Sequence, residues 1–459
     1  MANPGKEHKM NDLSRRQFLS KSSKNILGSM AAGWTMTAAS SSRVHGANER
    51  LRVALVGCGG RGQYVARNVA DAGAQISYLC DPFAQRIEKA WSLLSEVQKE
   101  KPKTTQHYGE VLQDPNTDAV IVATPDHWHA LITLACCQAG KDVYVEKPSS
   151  HNIKESLLMI QAAKSHDRVI QVGTQNRSAP YVQQAREYVA SGKLGSIPFV
   201  KVYNLKPGDA FRLAEPGDKP EDLNWDLWLG PASSMPFHRQ ILHHGWLHMW
   251  DLSAGEMAGE VAHQLDLALM VLGDPGMPLS VSCSGGRFHH AGDDSEMPDI
   301  QVVTYQFKDR VITLEHSMYP KYMAKTTDTI RRKDEFPYWT QNATRVELYG
   351  SETMMTVGRH GGGWQVTTSS GRVVDQMYGR PPDVPHVKDF LDAVKKRRKA
   401  NADLETIYPS CAMIHMANIA YRTGNKKLWV NDSKDGFRDA EDANALLGRE
   451  YRAPFLMSL

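Results

Sequence analysis

The densest chemical signal in the chain is the run Gly57-Cys58-Gly59-Gly60-Arg61-Gly62, which follows the apolar stretch Arg52 to Val56 and opens a helical pattern. It matches G-x-G-x-x-G in register with a helix start. Gly57 allows the tight turn, Gly59 lets the backbone approach a pyrophosphate, and Gly62 lets helix and strand pack closely. The helix end then offers unpaired N–H groups to the anion. The next apolar run ends at Asp81, 24 residues after Gly57, where an acidic side chain would take the adenosine ribose hydroxyls and repel a 2′-phosphate. NAD is therefore expected over NADP. Asp81 precedes Pro82 and could equally cap the following helix; the two roles are compatible.

A second cluster lies between Asn224 and Asp251, where Trp225, Trp228, His238, His243, His244, Trp246, His248 and Trp250 crowd together. Indole faces stack on the C–H surfaces of sugars and imidazoles bond hydroxyls, so this is a candidate carbohydrate pocket, with Trp246 and His248 as its binding members. The alternative is a hydrophobic loop laid over a sheet. His244 and His248 have i, i+4 spacing but no carboxylate at a motif-defining position, so no metal is assigned.

These residues must be carried by elements, and the first part of the chain alternates strand-length apolar runs with helical patterns. The strands are expected at Arg52 to Val56, Gln75 to Cys80, Ala119 to Ala123, Val143 to Val145 and Val169 to Val172, with helices at Arg61 to Ala72, Phe83 to Gln98, His127 to Ala139 and Ile153 to Ser165. That alternation predicts an α/β, doubly wound parallel sheet, a Rossmann domain over residues 48–175. After about Ser196 the β-prone runs change texture and predict a mostly antiparallel sheet in an α+β domain over residues 176–459. Helical patterns at Gly255 to Leu272, His386 to Lys399 and Ile407 to Thr423 accompany it.

Residues 1–47 are different. Ser14-Arg15-Arg16-Gln17-Phe18-Leu19 precedes a weakly apolar stretch from Ile26 to Ala39, which resembles a twin-arginine export signal and is too short and polar for a stable membrane anchor. The leader carries +5 of the formal charge of +3, leaving −2 on the remainder, so the basic balance gives no support to nucleic-acid binding. An exported, periplasmic protein that folds and loads its cofactor before crossing is expected. The six cysteines form no Cys-x-x-Cys pair, and neither a disulfide nor a cysteine metal site is expected.

Three motifs carry a family resemblance: the glycine loop, Thr124-Pro125-Asp126-His127-Trp128-His129, and Val145-Glu146-Lys147-Pro148 at a strand end. With Gly173-Thr174-Gln175 and Arg177, they resemble the glucose-fructose oxidoreductase/inositol dehydrogenase (Gfo/Idh/MocA) family over nearly the whole chain after the leader. The resemblance implies that Lys147 lies between nicotinamide and substrate and that His263, in Ala262-His263-Gln264-Leu265-Asp266, is the proton acceptor. It implies a cofactor side of Gly57, Gly59, Gly60, Arg61, Gly62, Asp81, Thr124, Pro125, His127, His129, Glu146 and Lys147, with Glu146 mainly structural. It further implies a substrate side of Lys147, Arg177, Trp246, His248, His263 and Asp266, C-terminal helices that return towards the first domain, and a homo-oligomer. Many relatives carry an aspartate four residues before the histidine, where this chain has Gly259; Glu256, Glu260 and Asp266 are the nearby substitutes.

The expected function is an NAD-dependent oxidation of a secondary hydroxyl on a sugar, glycoside or cyclitol, with a retained cofactor, since free NAD is scarce outside the cytoplasm. Two alternatives are a glycoside-cleaving enzyme that oxidises and eliminates transiently, and a non-catalytic sugar-binding protein on the same scaffold.

Overall fold

The computed structural model describes residues 50–457; the leader and its twin-arginine motif lie outside the described residues. The first sheet contains β1 (Arg52–Val56), β2 (Gln75–Cys80), β3 (Lys103–Thr105), β4 (Ala119–Val122), β5 (Asp142–Val145) and β6 (Ile170–Val172), all parallel, in the order β3-β2-β1-β4-β5-β6. Five of these are the expected strands. The sixth, β3, is only Lys-Thr-Thr and half exposed, with no apolar run to announce it. The chain reverses its strand order between β1 and β4, and the crevice at the carboxyl ends of those two strands is where such sheets bind ligands.

Between the strands run α1 (Gly60–Asp71), α2 (Ala84–Leu94), α3 (His129–Gln138) and α4 (Ile153–Ser165). α1 buries Gly62, Val65, Ala66 and Val69, a single 3.6-period stripe against the sheet. Asn152 caps α4, its side-chain oxygen accepting from the Glu155 N–H at 3.0 Å.

The second sheet has nine strands: β7 (Phe199–Leu205), β8 (Ser280–Gly286), β9 (Ile300–Gln306), β10 (Val311–Ser317), β11 (Arg345–Tyr349), β12 (Met354–Gly358), β13 (Trp364–Thr367), β14 (Val373–Met377) and β15 (Lys427–Trp429). Their order is β14-β13-β12-β11-β7-β10-β9-β8-β15, antiparallel except where β10 runs alongside β7. α5 (Ala262–Val271) is buried on every side in this sheet's core, as expected for a helix without a polar face. α6 (Asp383–Lys396) belongs elsewhere: Val387, Phe390, Leu391 and Val394 pack into the core under β1 and α1. α7 (Leu404–Arg422) spans two cores, with Ile407 and Cys411 in one and Met413 to Ala420 in the other. All six cysteines are free and buried. No helix among the described residues is long and apolar enough to cross a membrane.

Three fully enclosed histidines fasten these layers. His127 sits between the carbonyls of Leu252 and Trp228, each at 3.2 Å. His386 joins the Ser178 hydroxyl (2.8 Å) to the Val172 carbonyl (3.0 Å), and His316 faces the Asn204 amide at 3.1 Å. Burial pushes the first down to about 3 and the other two to about 4. Unfolded, each titrates near about 6.5, so folding excludes protons that the unfolded chain takes up. Their contribution is complete above about pH 6.5 and is lost as pH falls towards 4, by at most about 4 kcal/mol per pH unit for the three together. Urea unfolding at pH 7, 6 and 5 is expected to show this decline; a flat profile would contradict it.

Candidate active site

One cleft of about 1200 Å³ runs from Asp81 to His263, large enough for a dinucleotide and a second ligand side by side. Its floor is the glycine loop. Gly57 has φ +94°, and a Cβ there would strike the Ala123 carbonyl at 2.6 Å; a Cβ on Gly62 would lie 2.0 Å from the Gly57 carbonyl oxygen. Both positions are closed to other residues by the fold itself. Gly59 is otherwise: φ is −68°, and a Cβ would meet nothing within 4 Å. The space above it is open cleft. It is also the N-cap of α1, with no side-chain cap and no acidic residue in the first turn, so the N–H groups are left for an anion. Gly59→Ala is accordingly expected to leave stability within about 0.5 kcal/mol and to weaken dinucleotide binding at least about tenfold. Titration calorimetry and thermal melting together check this; unaltered binding would contradict it.

Asp81 lines the cleft but is already engaged, accepting from the Cys58 N–H at 2.8 Å and the Phe83 N–H at 2.9 Å. The bond to Phe83 closes a turn ahead of α2, whose N-cap is Phe83 with no side-chain cap, so Asp81 does not cap that helix. Arg61 bridges Glu146 at 2.7 Å and Asp383 at 3.4 Å. Burial pushes the Glu146 carboxyl up, but Arg61 and Lys147 outweigh it and hold it below the usual carboxylate range.

Lys147, at the end of β5, reaches across the cleft and donates from Nζ to the Gly259 carbonyl. That carbonyl is available because residues Met257–Val261 form a single π-helical turn ahead of α5. The residue that replaces the expected aspartate thus offers a neutral backbone acceptor in its stead. Beside it stands His263, buried, lining the cleft; burial, then the nearby Arg359 charge, push its pKa well below the usual histidine value. Its ring is neutral at neutral pH, with one nitrogen unprotonated and turned to hydrogen-bond acceptance, and it holds an added proton only weakly.

The carboxylate nearest His263 is Glu260. Its oxygens face Lys325, Arg359 (3.3 Å) and His360 (3.0 Å). Burial alone would raise its pKa, but the Arg359 charge, the His360 hydrogen bond and the Lys325 charge hold it well below the usual range; His360 itself is pushed down to about 3 by burial and Arg359. Glu260 is therefore an anchor for that wall and a poor proton acceptor.

Several expected site residues lie elsewhere. Arg177 and Asp266 form a buried bidentate pair, Nη2 to Oδ1 at 2.7 Å and Nε to both oxygens at 3.0 Å, with Asp274 and Ser410 attached. They tie α5 to the segment after β6 and do not line the cleft. Asp266 shares a helix with His263 but points its carboxylate away from it, into that pair. His248 stacks on Phe211, ring centroids 4.2 Å apart, and bonds Ser295 at 2.9 Å. His127 and His129 are also absent from the cleft lining: His129 spans the Pro148 (2.6 Å) and Thr124 (2.9 Å) carbonyls, holding the two loops on which Lys147 and Thr124 stand. Of the expected residues, Gly57, Gly59, Gly60, Arg61, Asp81, Thr124, Pro125, Glu146, Lys147, Trp246 and His263 line it, and Gly62 does not.

The aromatic segment is mostly a strap with its own core. Trp225 and Trp228 stack at 4.7 Å among Phe211, Phe237 and Leu242, so they are not an open sugar platform. Only its inner edge reaches the cleft: one edge of Trp228 with Leu227, His243, His244 and Trp246. His244 and His248 do not converge, and no group of three metal-ligating side chains occurs among the described residues. The strap is pinned over the adenosine end: Asn224 N–H donates to Pro82 (2.9 Å), Gln85 N–H to Asp222 (2.9 Å) and Arg86 to the Leu242 carbonyl (2.6 Å), while Phe83 bridges Leu223.

Sequence reasoning missed Arg359 and His360. A readable sign was there, since the pair interrupts the glycine run Gly358 to Gly363 at the β12–β13 turn, where Gly361 and Gly363 have φ near +75°.

A dinucleotide fits this cleft. Buried polar atoms on lining residues, Thr124 Oγ1, Asn176 Nδ2 and Trp228 Nε1, have no protein partner and are placed to meet a ligand in the cleft. Residues 51–174 match the model of an oxidoreductase family with an NAD-binding Rossmann fold, and residues 206–317 and 358–457 match that family's C-terminal alpha/beta domain. The chain belongs to the Gfo/Idh/MocA oxidoreductase family. It is 31% identical over 162 residues to scyllo-inositol 2-dehydrogenase (NAD(+)) of Bacillus subtilis (strain 168), covering 35% of this chain and 46% of that one, so it spans about half the length of such curated relatives. The fold is shared with levoglucosan dehydrogenase in complex with NADH and levoglucosan (TM-score 0.61, 17% identity, 83% of this chain and 99% of that one). It is shared equally with aldose-aldose oxidoreductase from Caulobacter crescentus complexed with glycerol (TM-score 0.61, 14% identity, 83% and 100%).

Proposed function

We propose that the protein is an NAD-dependent dehydrogenase that oxidises a secondary hydroxyl of a sugar, glycoside or cyclitol and keeps its dinucleotide between turnovers. The observation that carries this is the convergence of Lys147 Nζ and the neutral His263 ring on one end of the cleft whose other end is the glycine loop. Relatives are named for action on scyllo-inositol and levoglucosan, both polyhydroxylated rings.

The bound nicotinamide supplies a hydride acceptor. Lys147 directs its ammonium at the substrate oxygen, lowering the cost of negative charge there as the O–H bond breaks. His263 accepts the hydroxyl's hydrogen bond at its unprotonated nitrogen and takes the proton as the oxygen's charge leaves for the hydride acceptor; Arg359 and burial disfavour the imidazolium, so it does not accumulate. Lys147's alternative partner, the Gly259 carbonyl, cannot accept a proton; it fixes the ammonium's position only. Glu146 and Arg61 hold the loop beneath Lys147, and the strap keeps water and exchange away from the adenosine end.

Asp81 favours NAD, and the pinned strap favours retention. A folded, loaded enzyme exported through its Arg15-Arg16 leader completes the reading, as does pairing of copies into a homo-oligomer. Native mass spectrometry of freshly purified protein tests it: stoichiometric NAD that becomes NADH on addition of one of a panel of sugars, glycosides and cyclitols is expected. Empty protein that binds NADP in preference, or NAD that no member of the panel reduces, would overturn it.

A further inference from the structure

The wall opposite Lys147 is more positive than a neutral sugar requires. Among the described residues, Arg331, Arg332 and Arg359 line it and Lys325 stands behind it, set against Glu260, Asp328 and Asp383, and Asp383 is already paired with Arg61 at 3.4 Å. Arg331 is satisfied by Asp328 at 3.3 Å and the Thr326 carbonyl at 2.7 Å. Arg332 lines the cleft with no side-chain partner among the described residues. Arg359 is the informative member. Its side chain is 14% exposed, its Nε has no well-formed hydrogen bond, and its Nη1 touches only the His360 ring. Glu260, 3.3 Å from that Nε, is shared with Lys325 and His360. Nη2 has no partner among the described residues. A guanidinium mostly out of water with an unfilled donor fork is costly unless a ligand completes it.

We propose that the substrate carries an oxyanion on its ring, a carboxylate or a sulfate ester, and that Arg359 receives it while Lys147 and His263 address a hydroxyl of the same ring. This rests on the carbinol-oxidation reading above. Arg359 stands beside His263, whose protonation its charge opposes, which places the fork at the reacting end of the cleft. The dinucleotide's phosphates have their own donors at the N-terminus of α1. A planar fork matches a carboxylate or sulfate edge with two parallel hydrogen bonds, which a sugar hydroxyl cannot offer.

The test is equilibrium binding to the holoprotein in its NADH form, read from cofactor fluorescence, with methyl glucoside, methyl glucuronide and methyl glucoside 6-sulfate as probes. Wild type is expected to bind one of the anionic probes at least about tenfold more tightly than the neutral one. Whichever anion wins identifies the source. Arg359→Gln should shrink that ratio to near one, and Arg359→Lys should restore part of it. Equal affinity of wild type for all three probes would overturn the proposal without need of any variant. So would an Arg359→Gln protein that binds NADH more weakly yet, at saturating NADH, keeps the ratio, since Arg359 would then serve the cofactor. Binding is read without turnover, so an Arg359-dependent preference with no cofactor reduction would sink the dehydrogenase reading and leave this one standing. Reduction by neutral rings alone would do the reverse.

Discussion

Lys147→Ala is expected to lower turnover by about 10³-fold while the dinucleotide stays bound. The two effects separate because Lys147 stands at the end of β5, with Nζ directed at the substrate end of the cleft and held by Gly259. The dinucleotide phosphates would be held at Gly59 and the uncapped α1 terminus, which the substitution does not touch. Lys147→Arg is a sharper version of the same test. A guanidinium keeps the positive charge but is bulkier and does not yield a proton near neutral pH, so activity should remain low if the ammonium's position and proton matter. Single-turnover reduction of bound cofactor gives the rate, and native mass gives the occupancy. Turnover within tenfold of wild type in the alanine variant would remove Lys147 from the chemistry.

Asp266→Ala is expected to cost about 3–5 kcal/mol, because it strands the Arg177 guanidinium in the interior with only a half-buried Asp274 as counter-ion. Arg177 and Asp266 are 3% and 1% exposed, so solvent does little to screen the loss. The double change Arg177→Met with Asp266→Leu removes both charges and should recover most of that stability. If the pair served substrate, as the family resemblance implied, the double variant would fold and be inactive. In the present account it folds and retains turnover within about tenfold, because neither residue reaches the cleft. Urea unfolding of both variants, followed by turnover of the double one, distinguishes the two.

The parallel sheet was legible because β1, β2, β4, β5 and β6 are continuous apolar runs separated by helical patterns, as sheets buried on both faces must be. β3, β12, β14 and β15 were not: β3, β14 and β15 are short, half-exposed edge strands whose pairing comes from neighbours, and β12, though buried between β11 and β13, is a Met-Met-Thr-Val-Gly stretch without the alternation that marks a strand. Lys147 and His263 were legible by motif, and the structure brings them to one cleft. Arg177 and Asp266 were misplaced for a physical reason: polar residues in a motif look alike whether they face a ligand or each other, and burial decides between the two. The histidines erred in the same direction. His127, His129 and His248 bond carbonyls, a hydroxyl or an aromatic face inside the protein, and the tryptophan pair that suggested a sugar platform is the core of the strap. What no local pattern could reveal was the π-helical turn that turns the Gly259 carbonyl towards Lys147.

The most direct measurement uses a turned-over sugar or cyclitol carrying deuterium on the carbon that is oxidised. The account predicts that deuterium appears on the protein-bound nicotinamide, with a ketone product in equal amount and no transfer in Lys147→Ala. Deuterium that stays with the sugar while an aglycone is released, or that never reaches the cofactor, would contradict it.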